Sequence, residues 1–141
     1  MKVCDIMSAD LVCIDIGETA AAAARLLSRN NIGVLPVCKN ERLVGVVTDR
    51  DIVLRCVAAG LPADETTVGR VMTQRVLTVS PEDEVRLAAA KMATEQVRRL
   101  PVVEGRRLVG MVTIGDMAKQ PDYTMEAAEC LCDVCDNTST R

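Results

Sequence analysis

Short apolar runs and one alanine-rich stretch alternate with turn residues along the chain, and the succession occurs twice. Leu11–Ile14 is a short apolar run that Gly17 and Glu18 bring to an end. Thr19 is placed to cap a helix over Ala20–Arg29, whose alanines favour helix strongly. Asn30, Asn31 and Gly33 end it. Val34–Cys38 reads as a strand, with Pro36 restricted to an edge or a first position. Asn40 and Glu41 form a turn, and Leu43–Val47 is a second strand, apolar throughout and so buried on both faces. Thr48 and Asp49 begin a helix that runs to about Ala59, where Gly60 and Pro62 stop it.

The second pass begins at Val68, after a linker over residues 61–67. Val76–Val79 is its first strand, and Ser80 caps a long helix that has Pro81 at its first position and runs to about Gln96. Arg99–Val103 and Leu108–Val112 form the strand pair, and Thr113 opens a short last helix. Aligned at an offset of 65 residues, Leu35–Asp51 and Leu100–Asp116 are identical at ten of seventeen positions. Met7 matches Met72 at the same offset. A fixed internal offset marks one supersecondary unit used twice. The organisation read from the chain is repeat 1 over residues 1–60, repeat 2 over 68–120, and a tail over 121–141 with a separate helix from Thr124 to about Cys135.

Composition narrows the function. Apolar residues make up 49% of the 141 positions, yet Tyr123 is the one aromatic, so the core is built of Val, Leu, Ile, Ala and Met. A net charge of −3 and the lack of stacking side chains argue against a nucleic-acid partner. No apolar run reaches the ~18 residues of a membrane span, and the N-terminus lacks the layout of a signal peptide. The cytoplasm is the expected location, and seven cysteines, an odd number, are expected to be reduced thiols. The absence of histidine removes Ser-His-Asp and Cys-His catalysis. No paired carboxylates or cofactor loop replace them, so the expectation is a binding module and not an enzyme.

The most faithfully repeated chemistry is Gly-x-x-Thr-x-x-Asp, at Gly45, Thr48 and Asp51 and again at Gly110, Thr113 and Asp116. It falls where a strand ends and a helix begins. Glycine there admits a close approach. Threonine at unpaired helix N–H groups suits a phosphate, and an aspartate one turn on can accept two hydrogen bonds from a ribose diol. The same residues equally describe a helix cap, with Thr at the N-cap and Asp in the first turn. Repetition does not separate the two, because a repeated fold repeats its caps.

The paired pattern, Met7 with Leu35–Val37 and Leu43–Asp51, then Met72 with Arg99–Val103 and Leu108–Asp116, resembles a tandem pair of cystathionine β-synthase (CBS) domains. It covers residues 1 to about 119. Thr48–Ile52, Ala58–Leu61 and Gln96–Arg99 further resemble small bacterial stand-alone CBS-pair proteins of the hypoxia-response type. The resemblance implies an α/β fold of two strand–helix–strand–strand–helix repeats packed as one pseudo-twofold module that dimerises. It implies a regulatory protein that binds an adenosine nucleotide, AMP, ADP or ATP, and signals to a separate partner. It also implies two clefts. One would hold Thr48 and Asp51, with Thr78, Val79, Arg98 and Arg99. The other would hold Thr113 and Asp116, with Cys13, Ile14 and Val34. The two arginines favour the first cleft for phosphate, although they also fit a solvated helix end.

The tail adds Cys130, Cys132 and Cys135, three thiols that a zinc site would need to supplement with Asp133, Asp136 or a partner's residue. A plain reduced tail is the alternative. The rival function is therefore a thiol-based metal or redox sensor. The homodimer is expected to use the apolar faces around Ala20–Leu27 and Leu87–Met92, and the tail is expected to be dispensable for folding.

Overall fold

The computed structural model describes residues 1–139, with side chains through Cys135. In chain order the elements are α1 (Val3–Ile6), β1 (Ile14–Asp15), α2 (Ala20–Asn30), β2 (Val34–Lys39), β3 (Arg42–Thr48) and α3 (Asp49–Ile52), which a π turn (Val53–Val57) continues. Then come α4 (Val68–Val71), α5 (Val85–Glu95), β4 (Arg99–Glu104), β5 (Arg107–Thr113), α6 (Ile114–Ala118), a 3-10 turn (Pro121–Tyr123) and α7 (Thr124–Ser139). They build two compact units whose limits cut across the repeats. One is Val12–Val76; the other joins Met1–Leu11 to the chain from Leu77 onward. Each unit thus takes its first short helix from the other repeat.

In the unit of residues 12–76, β1 runs parallel to β2 and β2 is antiparallel to β3. The Thr19 hydroxyl accepts from the Ala22 amide at 3.1 Å, the cap the sequence predicts, and Asn31 closes α2 in the left-handed conformation. Residues 61–67 are built into this unit. Ala63 and Thr66 carbonyls accept from Ala21 and Ala20, the first amides of α2, and buried Thr66 donates to the Pro62 carbonyl at 2.7 Å. A helix start needs such acceptors, since its first amides have none within the helix. Leu27, Leu35, Val37, Val47, Cys56 and Val71 fill the core.

In the other unit, β4 and β5 are antiparallel, and buried Val85, Met92, Leu100, Val112 and Met117 pack with Val3 of α1. Two expectations fail here. Val76–Val79 is not a strand; Val79 alone bridges Val102. The long helix starts at Val85, with Glu84 as its N-cap, in place of Ser80. The cause is α1, whose Val3 and Cys4 amides take the Asp83 and Pro81 carbonyls at 2.8 and 3.0 Å. The Ser80–Asp83 segment closes into a turn, in which the Ser80 amide donates to the Asp83 carboxylate at 2.8 Å.

The repeated glycines mark where the exchanged segments dock. A Cβ on Gly45 would lie 2.6 Å from the Thr73 carbonyl oxygen, and one on Gly110 would lie 2.9 Å from that of Ser8. Beside them, Val46 and Thr73 exchange backbone hydrogen bonds at 2.9 and 2.8 Å, as Met111 and Ser8 do at 3.0 and 2.8 Å. The close approach expected at these glycines is therefore made by the chain's own backbone.

The tail is helical as expected, but it is not separate. Tyr123, Ala127, Cys130 and Val134 form a buried stripe, and α7 packs along α5 and α6. Within the stretches expected to meet a second copy, Ala20, Ala23, Ala88 and Ala89 are core residues, while Ala24, Leu87 and Ala90 are exposed. The exposed large apolar residues include Val53, Leu54 and Val57 on the π turn and Leu87 on α5.

Two outcomes follow. Gly110→Ala and Gly45→Ala each lower stability by about 1–3 kcal/mol, because a backbone oxygen cannot move aside as a side chain would; urea unfolding measures this. A chain ending at Gln120 uncovers α5 and loses cooperative unfolding in the unit that α7 covers, read by calorimetry against the full chain.

Candidate functional site

Both Gly-x-x-Thr-x-x-Asp motifs are built as reciprocal caps. Thr48 Oγ1 accepts from the Asp51 amide at 2.9 Å, and Asp51 Oδ2 accepts from the Thr48 amide at 3.1 Å. Thr113 and Asp116 repeat this at 3.0 and 2.9 Å. Each pair satisfies two amides that a helix start leaves without partners. The capping alternative is therefore realised in both motifs, and any ligand has to use what the caps leave open.

What they leave open differs. Buried Asp51 is enclosed: Thr73 Oγ1 lies 3.3 Å from both of its oxygens, and Arg55 Nη1 lies 3.6 Å from Oδ1. That nitrogen also donates to the Val71 and Met72 carbonyls at 3.0 and 2.9 Å, tying the motif to the end of α4. Asp116 is half-buried, and among the described residues its Oδ1 has no partner within its unit. The position matching Arg55 is Gln120, and the one matching Thr73 is Ser8. The enclosure belongs to one copy.

Strand register decides which side chains accompany each motif. Opposed residues in an antiparallel pair share a face. Thr48 stands opposite Val34, and the Asp49 amide donates to the Gly33 carbonyl. Thr113 stands opposite Arg99, and the Ile114 amide donates to the Arg98 carbonyl at 2.9 Å. The two arginines, expected beside Thr48 and Asp51, are set within their unit beside Thr113 and Asp116. Neither guanidinium has an ion-pair partner among the described residues.

The other expected residues vary in what they offer. Val79 is buried, its amide donates to Pro101 and its carbonyl accepts from Val103, so its backbone cannot face a base. The Thr78 carbonyl accepts from Lys91 Nζ at 2.9 Å. Ile14 belongs to the core. Cys13 is exposed and, with Asp15, Glu18, Arg25 and Arg29, lines an open cavity of about 400 Å³. That cavity includes neither Thr48 nor Asp51. Sequence reasoning missed Arg55 and Thr73, whose partners become evident only once α4 is known to dock on the other repeat's strand.

The cysteines of the tail do not converge. Cys130 is buried, donates to the Ala89 carbonyl at 3.0 Å, and has its pKa raised by burial and then by Asp133 and Glu129. Cys132 and Cys135 are exposed. Among the described residues no three or more Cys, Asp or Glu gather as a metal would require, and Asp136 lies outside the described side chains. The donor set does not fit zinc: Cys130 is a core side chain.

Comparison with known proteins agrees with the repeat. The CBS domain model matches residues 3–57 and 68–122. The chain belongs to the CBS-domain family. It is 40% identical over 123 residues to hypoxic response protein 1 of Mycobacterium tuberculosis, covering 86% of each chain. The crystal structure of Hypoxic Response Protein I with two coordinated zinc ions matches with a TM-score of 0.77 at 38% identity, over 85% of this chain and 98% of that one. The CBS pair of protein MJ0100, in complex with 5′-methylthioadenosine and S-adenosyl-L-methionine, matches with a TM-score of 0.70 at 30% identity, over 84% and 94%. CBS pairs are regulatory ligand-binding modules, and this chain has their mixed α/β fold. Among the described residues no helix is long and apolar enough to cross a membrane.

The difference between the copies has a measurable consequence. Arg55→Ala removes two hydrogen bonds to the end of α4 and costs about 1 kcal/mol of stability. The matching Gln120→Ala changes it by less than about 0.5 kcal/mol. Chemical denaturation of both variants gives the comparison.

Proposed function

We propose that the chain is a regulatory module that binds an adenosine nucleotide through Thr113 and Asp116, and passes the nucleotide's level to a separate protein partner. The observation that carries this is the open Oδ1 of Asp116 on a motif whose strand neighbour is Arg99. Thr113 and Asp116 keep their cap while Oδ1 accepts from the ribose hydroxyls. Arg98 and Arg99 take the phosphates, where a charged hydrogen bond is about twice as strong as a neutral one. Thr78 keeps an amide and a hydroxyl for the base. Asp51 is a poorer reader, since a ribose there has to displace Thr73 and Arg55. The adenosine compounds held by the MJ0100 pair support the choice of ligand class. No catalytic step is assigned.

Calorimetric titration of AMP and ATP tests this. Asp116→Ala weakens binding by roughly fivefold to a hundredfold, the equivalent of about 1–3 kcal/mol, and Asp51→Ala weakens it less. Arg99→Ala weakens nucleotides and spares adenosine. An Asp116→Ala variant that binds normally overturns the assignment.

The second partner is another copy of the chain, placed on the exposed Val53, Leu54 and Val57. Three adjacent apolar side chains on one turn of helix form a surface that burial against a like surface stabilises. Light scattering at micromolar concentration gives a dimer for the native chain and a monomer for Leu54→Glu.

A further inference from the structure

Cys13 and Cys38 are the two thiols of the 12–76 unit that the nucleotide reading leaves unused, and the sheet sets them together. β1 runs parallel to β2 with Asp15 opposite Cys38, and the Ile16 amide donates to the Cys38 carbonyl at 3.0 Å. Cys13 lines the same cavity as Asp15, the residue that stands opposite Cys38. The strand register shifts between Val37 and Cys38, an irregularity of the kind that re-aims a side chain. Cys13 immediately precedes β1 and is not held in its ladder.

The Cys38 thiol is pushed up to about 11, by burial first and then by the neighbouring Cys13 and Asp15. The sites are unequal in access: Cys13 is exposed on the cavity wall beside Arg25, whereas Cys38 is half-buried. The matching positions of the second repeat are Thr78 and Val103. The fold therefore does not require sulfur at either place.

We propose that Cys13 and Cys38 are an oxidant-reactive pair that closes into a disulfide within one chain, with a hydroperoxide as the oxidant. In the first step the Cys13 thiolate attacks the peroxide. A sulfur–oxygen bond forms, the oxygen–oxygen bond breaks, and the leaving oxygen departs protonated, as water when the oxidant is hydrogen peroxide. Cys13 is then a sulfenic acid. In the second step the Cys38 sulfur attacks the Cys13 sulfur, gives up its proton and expels the sulfenic oxygen as a second water. Two thiols and one peroxide become one disulfide and two waters. The bond pins the start of β1 to β2, at the place where the chain enters the 12–76 unit at Val12.

The full chain is treated with hydrogen peroxide, remaining thiols are alkylated, and the product is digested at aspartates, which separates Cys4 from Cys13. The expected product is a peptide pair joined through Cys13 and Cys38, in a chain that still migrates as a monomer on a non-reducing gel. Cys38→Ser leaves the Cys13 sulfenic acid without its partner, so dimedone labels Cys13 several-fold more than in the native chain. The proposal is overturned if Cys13 oxidises further while Cys38 stays open to alkylation. It is equally overturned if the bond joins two chains, if Cys13 pairs with another cysteine, or if Cys38→Ser labels no more than the native protein.

Discussion

The architecture depends on one close contact made twice: a strand glycine against the backbone of a segment from the other repeat. Gly45 meets Met72 and Thr73, and Gly110 meets Met7 and Ser8. Backbone hydrogen bonds beside each glycine complete the joint. Everything that distinguishes the units from the repeats follows from it. With α1 docked on the second repeat, the Pro81 and Asp83 carbonyls are taken and α5 is displaced to Val85. With α4 docked on the first, Arg55 gains the Val71 and Met72 carbonyls as acceptors and Asp51 gains Thr73. The polar network around one aspartate is a by-product of how two short helices are seated.

Local chemistry was legible in the sequence wherever the answer lay within a few residues. The Thr19 cap, the strand pairs with their apolar centres and the reciprocal Thr–Asp pairs are short-range matters of propensity and hydrogen-bond geometry. The family was legible too, because two copies in register carry the same hallmarks. The exchange of first helices was not, since a repeat pattern shows what resembles what and is silent on what touches what. The tail was misjudged for another reason. Tyr123, Ala127, Cys130 and Val134 already have helical spacing, but three cysteines drew attention as ligands when one of them was a core residue.

The two motifs show how a duplicated site diverges without losing its frame. Thr and Asp cap the helix start in both copies. The neighbours are free to differ, and they do: Val34 stands where the other copy has Arg99, and Arg55 where the other has Gln120. One aspartate is thereby enclosed, and the other, among the described residues of its unit, keeps an oxygen without a partner. Family membership alone does not make the sites equivalent, because the residues around each Thr–Asp pair decide what it leaves open, and those differ between the copies.

The nesting of one unit inside the other bears on the order in which the chain can mature. Residues 12–76 are contiguous, so every partner in that unit has been synthesised once Val76 leaves the ribosome. Met1–Leu11, made before that unit, belongs with the residues from Leu77 onward and has to wait for them. Closing so long a loop costs only slowly more entropy as its length grows. Val3, fully buried in the finished protein, lacks the core residues that bury it until the chain from Leu77 has been made. A segment made before the 12–76 unit can be covered only after it.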